Sequence, residues 1–183
     1  MRRITAVAVA VVGLSAGVVA TSPAQGDKSG TGFGMGYTDF GPTVGLGGLG
    51  GSGLAIGGRF EKAIKHLPNL GNGTLGLQIS ADFYRQTNSF AAVNYNFTFI
   101  PIGATANYHI KVNDKKFDPF VGAGLGYSIV STSYAGSFSS GLYFIGRAGL
   151  RYYLSNGLAL YGDVGAGAAT LNAGLMFKMR GAR

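Results

Sequence analysis

The sequence predicts an all-β protein, a single eight-stranded antiparallel up-and-down β-barrel that spans a membrane after a signal peptide is cleaved. Three observations lead there. Apolar and polar residues alternate with period two in segment after segment, separated by short polar or Gly-containing turns. The composition agrees, since 33 Gly and 22 Phe plus Tyr accompany five Pro and no Trp in 183 residues. Gly at that level disfavours long helices, and plentiful aromatics with few charges disfavour disorder. The third observation is an export signal at the start of the chain.

Met1, Arg2 and Arg3 precede an apolar run from Ile4 to Ala20, and the chain turns polar at Thr21, which is the three-part layout of a secretory signal. Ser22-Pro23-Ala24 places small residues at the first and third positions before a cut after Ala24, with Val18-Val19-Ala20 as second choice. As a membrane anchor the run is short and too rich in Ala, Gly and Ser. Residues 1–24 are therefore expected to be removed, leaving residues 25–183 as one barrel domain. That domain has 13 Lys and Arg against 7 Asp and Glu, a net charge of about +6. Scattered basic residues without interleaved aromatics, in an exported chain, argue against nucleic acid as a partner. Anionic lipid headgroups are the expected partner instead. The chain has no Cys, and hence no disulfide, no thiolate metal site and no lipidated cysteine.

In chain order, a first strand is expected near residues 31–38. The stretch from Gly45 to Gly53 reads as a flexible surface loop. Gly45, Gly47 and Gly50 match a dinucleotide-fingerprint spacing, but no buried strand precedes them and no helix-forming run follows. Residues 52–64 set Leu54, Ile56, Phe60 and Ile64 against Arg59 and Glu61. In residues 74–86, Leu75, Leu77, Ile79, Ala81 and Phe83 oppose Gln78, Ser80, Asp82, Tyr84 and Gln86. Residues 98–112 set Ile100, Ile102, Ala104, Ala106, Tyr108 and Ile110 against Gly103, Thr105, Asn107 and His109. Pro101 cannot donate to a ladder, so a bulge is expected there. The parity of Phe97 and Phe99 points inward, against the apolar stripe, which suggests that bulge or a later strand start.

Residues 117–130 alternate Val121, Ala123, Leu125, Tyr127 and Ile129 with Gly122, Gly124 and Gly126. The clearest alternation is residues 139–154, with Leu142, Phe144, Ala148, Leu150, Tyr152 and Leu154 opposite Tyr143, Arg147, Arg151 and Tyr153. Residues 157–166 and 170–179 complete the series. The connections near residues 39–51, 88–95, 132–138 and 167–169 are expected at the outer end.

Alternation alone fits a soluble sandwich as well as a membrane barrel, but the aromatic positions discriminate. Phe60, Tyr108, Phe117, Tyr152 and Phe177 come from five strands and share the apolar face near one end, as an interface aromatic girdle would. Phe83, Tyr127 and Phe144 form a thinner ring at the other end. On the polar face Arg59, Glu61, Asp82, Arg147, Arg151 and Asp163 carry both signs and are expected to neutralise one another inside the lumen. A three-residue hairpin at Ser155-Asn156-Gly157 would put Leu154 opposite Leu158 and Asp163 within reach of both Arg147 and Arg151. An eight-stranded barrel is just wide enough for side chains to fill, so an occluded lumen follows.

Catalytic chemistry is weakly supported. His66 falls in a turn, and His109 reads as a hydrogen-bonded lumen residue without the partners of a metal site or a hydrolase. Glu61 and Asp82 differ in height by several residues, which favours pairing with Arg over acid/base work. No metal site, cofactor or catalytic residue is expected.

The run Phe117-Asp118-Pro119-Phe120-Val121-Gly122-Ala123-Gly124-Leu125-Gly126-Tyr127 leads aromatic-x-Pro-aromatic into Gly-x-Gly-x-Gly-aromatic. With the export signal and the closing alternation through Phe177, it resembles the small outer-membrane β-barrel family, the OmpA-like and porin-family barrels of Gram-negative bacteria. The resemblance covers roughly residues 31–179 and is carried by composition and strand pattern. The family usually closes on a terminal aromatic, whereas this chain runs on through Lys178 and Met179 to Arg183. The resemblance implies an integral barrel of a Gram-negative outer membrane, monomeric, with a structural or surface-interaction role. Its partners would be outer-membrane lipids and, during insertion, the barrel assembly machinery. Two alternatives are a small passive pore for ions or small solutes and, less favoured, a lipid-modifying barrel enzyme. A soluble periplasmic barrel of lipocalin type is a third.

Overall fold

The computed structural model describes residues 32–50, 53–90, 93–132 and 139–179, with the backbone alone for residues 50, 86–90, 93–96 and 132. The expected signal peptide and residues 180–183 lie outside the described residues. Eight strands form one closed sheet: β1 (Thr38–Leu46), β2 (Leu54–Leu67), β3 (Gly73–Phe90), β4 (Val93–His109), β5 (Phe117–Thr132), β6 (Gly141–Ser155), β7 (Leu158–Ala166) and β8 (Leu171–Lys178). Each pairs antiparallel with its neighbours in the chain, and β1 pairs with β8 to close the ring. Closure removes the exposed edges that an open sheet would leave.

Alternation sets which way each side chain points. Along β1 every second residue from Asp39 is buried and those between are exposed, and the same two-residue period runs through β2, β7 and β8. The buried stripe is the polar one. Asp39, Glu61, Asp82, Asp118 and Asp163 face the lumen, while Leu54, Ile56, Leu142 and Phe144 face outward, the last two 78% and 83% exposed. The glycines of β5 face the lumen for steric reasons. A Cβ at Gly122 would stand 2.0 Å from Asn107 Oδ1, and one at Gly126 would stand 2.2 Å from the Tyr143 ring.

We refer below to the end carrying the β2–β3, β4–β5 and β6–β7 connections, the start of β1 and the end of β8 as the turn end. The opposite end is the loop end. In the β2–β3 turn, Gly71 (φ 63°) and Asn72 (φ 55°) take the left-handed conformation, the two residue types that adopt it most cheaply in tight turns.

Several details differ from the sequence expectations. The first strand is Thr38–Leu46, not residues 31–38, so most of the expected outer connection at 39–51 is strand and Gly45 belongs to the barrel wall. Gly48–Gly50 forms a short 3₁₀ turn. Of the expected connection at 88–95, residues 88–90 and 93–95 are strand, because β3 and β4 continue as a ribbon beyond the barrel. No bulge forms at Pro101. The register of β4 with β5 runs unbroken past it, and with β3 the same register resumes after a gap opposite Asp82 and Phe83. Phe97 and Phe99 therefore keep their inward parity without any bulge or late start. Bulges fall instead at Ala63/Lys65 and Tyr153/Ser155. The second makes Ser155, not Leu154, the partner of Leu158, so the β6–β7 connection is a two-residue turn at Asn156-Gly157.

Candidate functional site

The lumen holds one connected polar network. At its loop-end side, Arg59 donates to Asp82 Oδ1 at 2.8 Å and to Asn172 Oδ1 at 3.0 Å. Asn172 Nδ2 donates in turn to Asp163 Oδ1 at 2.9 Å, and Asp163 also accepts from the Tyr161 hydroxyl. Arg147 approaches Asp163 at 3.5 Å and donates to Gln78 Oε1 at 3.0 Å. Gln78 Nε2 then donates to Glu61 Oε2 at 2.9 Å. Glu61 leads into the second half of the network, at the turn end.

There Arg151, with no exposed surface, is the hub. Its guanidinium meets Glu61 at 2.5 Å, Asp39 at 3.3 Å and Asp118 at 3.4 Å. His109 stands between two of the same carboxylates, with Nδ1 2.8 Å from Asp118 and Nε2 2.9 Å from Glu61. A doubly protonated ring, which donates from both nitrogens, satisfies that arrangement. Asn107 Nδ2 adds a bond to Glu61 at 3.0 Å, and the Tyr153 hydroxyl one to Asp118 at 3.3 Å. Charges withdrawn from water cost several kcal/mol each unless paired and hydrogen-bonded; every carboxylate of this network has an ionic partner and most have hydrogen bonds, whereas Asp39 is held by its ion pair with Arg151 without a hydrogen bond to either oxygen.

All six residues that the sequence assigns to the lumen charge network lie inside and belong to it. One expected pairing differs: Asp163 meets Arg147 but not Arg151, which turns toward the carboxylates of three other strands. Sequence reasoning missed Asp39, because it placed the first strand too early. It also left Asp118 out, although its two-residue spacing from Phe120 and Gly122 marks it as inward. His109 is a hydrogen-bonded lumen residue, as its parity suggests; its carboxylate partners come from other strands and have no signal in the local sequence.

Apolar seals close the network at both ends. On the turn-end side Phe33 is fully buried and stacks on His109, with ring centroids 3.6 Å apart and planes 12° apart. The Arg151 guanidinium lies 4.9 Å from the Phe33 centroid on the same side and 5.5 Å from that of Phe120, within range of cation–π attraction. Tyr37 and Ala63 pack with Phe33, and Tyr153 flanks them. On the loop-end side Tyr84, Phe99, Ala55 and Ala169 form a second cluster, and the Tyr84 hydroxyl donates to the Ala168 carbonyl at 2.5 Å. That bond ties the β7–β8 connection into the lumen mouth. Tyr84→Phe is expected to lower stability by about 1 kcal/mol, read as a shift of the urea midpoint of the detergent-solubilised barrel.

On the outside, the five residues expected to form an aromatic girdle lie toward the turn end. Phe60 pairs across strands with Phe40, which also pairs with Phe177 at a ring distance of 5.9 Å. Phe117 pairs with Tyr152 at 5.1 Å. Tyr108 is half-buried and donates its hydroxyl to the Leu70 carbonyl in the β2–β3 turn. Phe40, half exposed, joins the group; the sequence missed it because residue 40 was read as loop. Phe83, Tyr127 and Phe144 are exposed on the outer face nearer the loop end.

Fold and interior together define a small closed β-barrel with an apolar exterior and a plugged, charge-paired core. No protein-family model matches the chain, and no curated protein matches it. Among solved structures it is similar to two crystal structures of Ail, the attachment invasion locus protein of Yersinia pestis. One shares 12% identity at a TM-score of 0.43, and the other, in complex with the heparin analogue sucrose octasulfate, 14% at 0.37. Each match covers 78% of this chain and 93% of the Ail chain.

Proposed function

We propose that this chain is an integral β-barrel of a Gram-negative outer membrane, with an occluded lumen and a structural or surface-interaction role. One observation carries the reading: the strands turn their apolar stripes outward and their polar or small-residue stripes inward, with five carboxylates inside. In water that arrangement would leave Ile56, Leu142, Phe144 and some two dozen other large apolar side chains solvated. Contiguous apolar surface on that scale marks a membrane or partner contact. In hydrocarbon it is the stable choice, because a closed sheet pairs its own backbone and spends no amide on lipid. Strands of about 9–11 residues cross a bilayer; β8 has eight residues, β1 and β7 have nine, and β2 to β6 have 14 to 18, so the longer strands suffice to cross and project beyond.

In this reading the barrel is a monomer whose partners are outer-membrane lipids and, during insertion, the barrel assembly machinery. The side-chain network and the two aromatic seals support a structural element over a pore. His109, with both ring nitrogens occupied by carboxylates beneath Phe33, is poorly placed to act on a lipid. Fractionation tests the compartment: the chain is expected in the membrane pellet, released by detergent and retained against buffer alone. Release by buffer would favour the soluble lipocalin-type barrel. In planar bilayers the purified protein is expected to be silent; discrete conductance steps would replace the occluded lumen with a passive pore. Altered lipid A or phospholipid species on expression, read by mass spectrometry, would favour the enzyme instead.

A further inference from the structure

The charges outside the lumen are distributed unevenly between the two ends. Five of the chain's seven Asp and Glu are buried in the lumen network, so the described exterior is left almost without acids. At the turn end, Lys62 and Lys65 are exposed on β2, and Lys111, Lys115 and Lys116 lie in the β4–β5 connection. Asp114 is the one described acid among them, and its carboxylate accepts the backbone N–H of Lys116 at 2.9 Å. At the loop end Arg85 is the one cation among the described outward-facing residues.

These lysines have a defined place relative to the apolar belt. Lys62 stands two residues beyond Phe60 and pairs with Thr38, two residues beyond Phe40. Lys65 pairs with Leu75, which itself pairs with Tyr108. Lys116 precedes Phe117. Lys62, Lys65 and Lys116 therefore lie on the turn-end side of the aromatic positions, where long stems run along the apolar surface and the charge reaches the headgroup layer.

We propose that this lysine collar is a binding surface for anionic phospholipid headgroups in the leaflet at the turn end. The proposal rests on the membrane reading above and adds to it the residues that bind the anionic lipid and the side on which they do so. The β3–β4 ribbon projects past the barrel at the loop end, and outer-membrane barrels carry their long extensions on the outside and their shorter turns toward the periplasm, so the leaflet at the turn end is the phospholipid one, and the complementary chemistry is a phosphodiester carrying net negative charge. Uncompensated lysines at that level attract anionic lipids, and the attraction weakens as salt screens it.

The test reconstitutes the full folded chain in vesicles of phosphatidylcholine and in vesicles mixing phosphatidylcholine with phosphatidylglycerol. Protein-bound lipids are then counted by native mass spectrometry. Phosphatidylglycerol is expected to be enriched several-fold over its share of the mixture, and the enrichment is expected to fall as salt rises. The triple variant Lys111→Gln, Lys115→Gln, Lys116→Gln changes only the connection outside the strands and is expected to lose most of the enrichment, whereas Arg85→Gln keeps it. Phosphatidylglycerol bound at its bulk share, or enrichment unchanged in the triple variant, overturns the collar while leaving the membrane reading intact. Failure to enter either kind of vesicle overturns both.

Discussion

Replacing Arg151 with Met is expected to destabilise the folded barrel by about 3–5 kcal/mol, the cost of stranding buried charges by deleting their partner. Arg151 lies entirely inside the wall, and Asp39, Glu61 and Asp118 all point at it within 3.4 Å. Met fills much of the volume and keeps the contacts with Phe33 and Phe120, so the loss isolates charge from packing. His109 then remains against Glu61 and Asp118, and Asp39 loses the guanidinium that faces it. The urea midpoint in detergent reports the change, as does loss of the compact band on unheated SDS gels. Adding Glu61→Gln and Asp118→Asn to Arg151→Met removes two of the three stranded charges, leaving Asp39, and is expected to recover part of the stability. If Arg151→Met leaves the midpoint unchanged, or the triple variant is no more stable than the single one, the network does not hold the lumen in the way described.

The second large effect lies on the outer face. Ile79 is half exposed and sits on β3 midway between Leu75, the partner of Tyr108, and Phe83. An Arg at the middle of a lipid-facing stripe costs about 2–4 kcal/mol and loses most of that penalty near the interfaces. Ile79→Arg is therefore expected to lower refolding stability in phospholipid vesicles by that amount, while Leu54→Arg, near the loop end, has a much smaller effect. On a water-soluble barrel both substitutions would fall within about 0.5 kcal/mol of neutral, as exposed changes usually do. Equal, negligible effects at the two positions would thus remove the lipid from the account.

The strand pattern was legible in the sequence wherever an apolar and a polar residue alternate, as in residues 139–154, because a two-residue period directly encodes two faces. It was least legible where glycine replaces one partner. Around Thr38–Leu46 the inward stripe reads Asp39, Gly41, Thr43 and Gly45, which resembles loop composition, and the strand was placed seven residues early. That single error hid Asp39 from the charge network and Phe40 from the outer ring. Pro101 misled for a different reason. Its missing N–H was taken to require a bulge, but the sheet accommodates it by omitting two pairings with β3 while keeping register on both sides. The charges themselves were found from parity alone. Their pairing was not, because register across non-neighbouring strands of a closed sheet brings Arg151 of β6 to Asp39 of β1 and Glu61 of β2 across the lumen, a distance that no local pattern records. Phe33 was likewise assigned to a strand; its role as the stopper over His109 depends on the chain folding back into the mouth before β1 begins.

The central claim, that the apolar stripe meets lipid, can be read with one reporter, because the chain has no Trp of its own. Ala123 is exposed on the outer stripe of β5, paired with Ala106 and Gly146, so Ala123→Trp adds a ring outside the wall without crowding the lumen. In vesicles of phospholipid brominated midway along the acyl chain, its fluorescence is expected to be strongly quenched and insensitive to aqueous iodide, with Asn156→Trp in the β6–β7 turn behaving the opposite way. Quenching of the Trp at position 123 by iodide, and none by the brominated chains, would place that stripe in water and contradict the account.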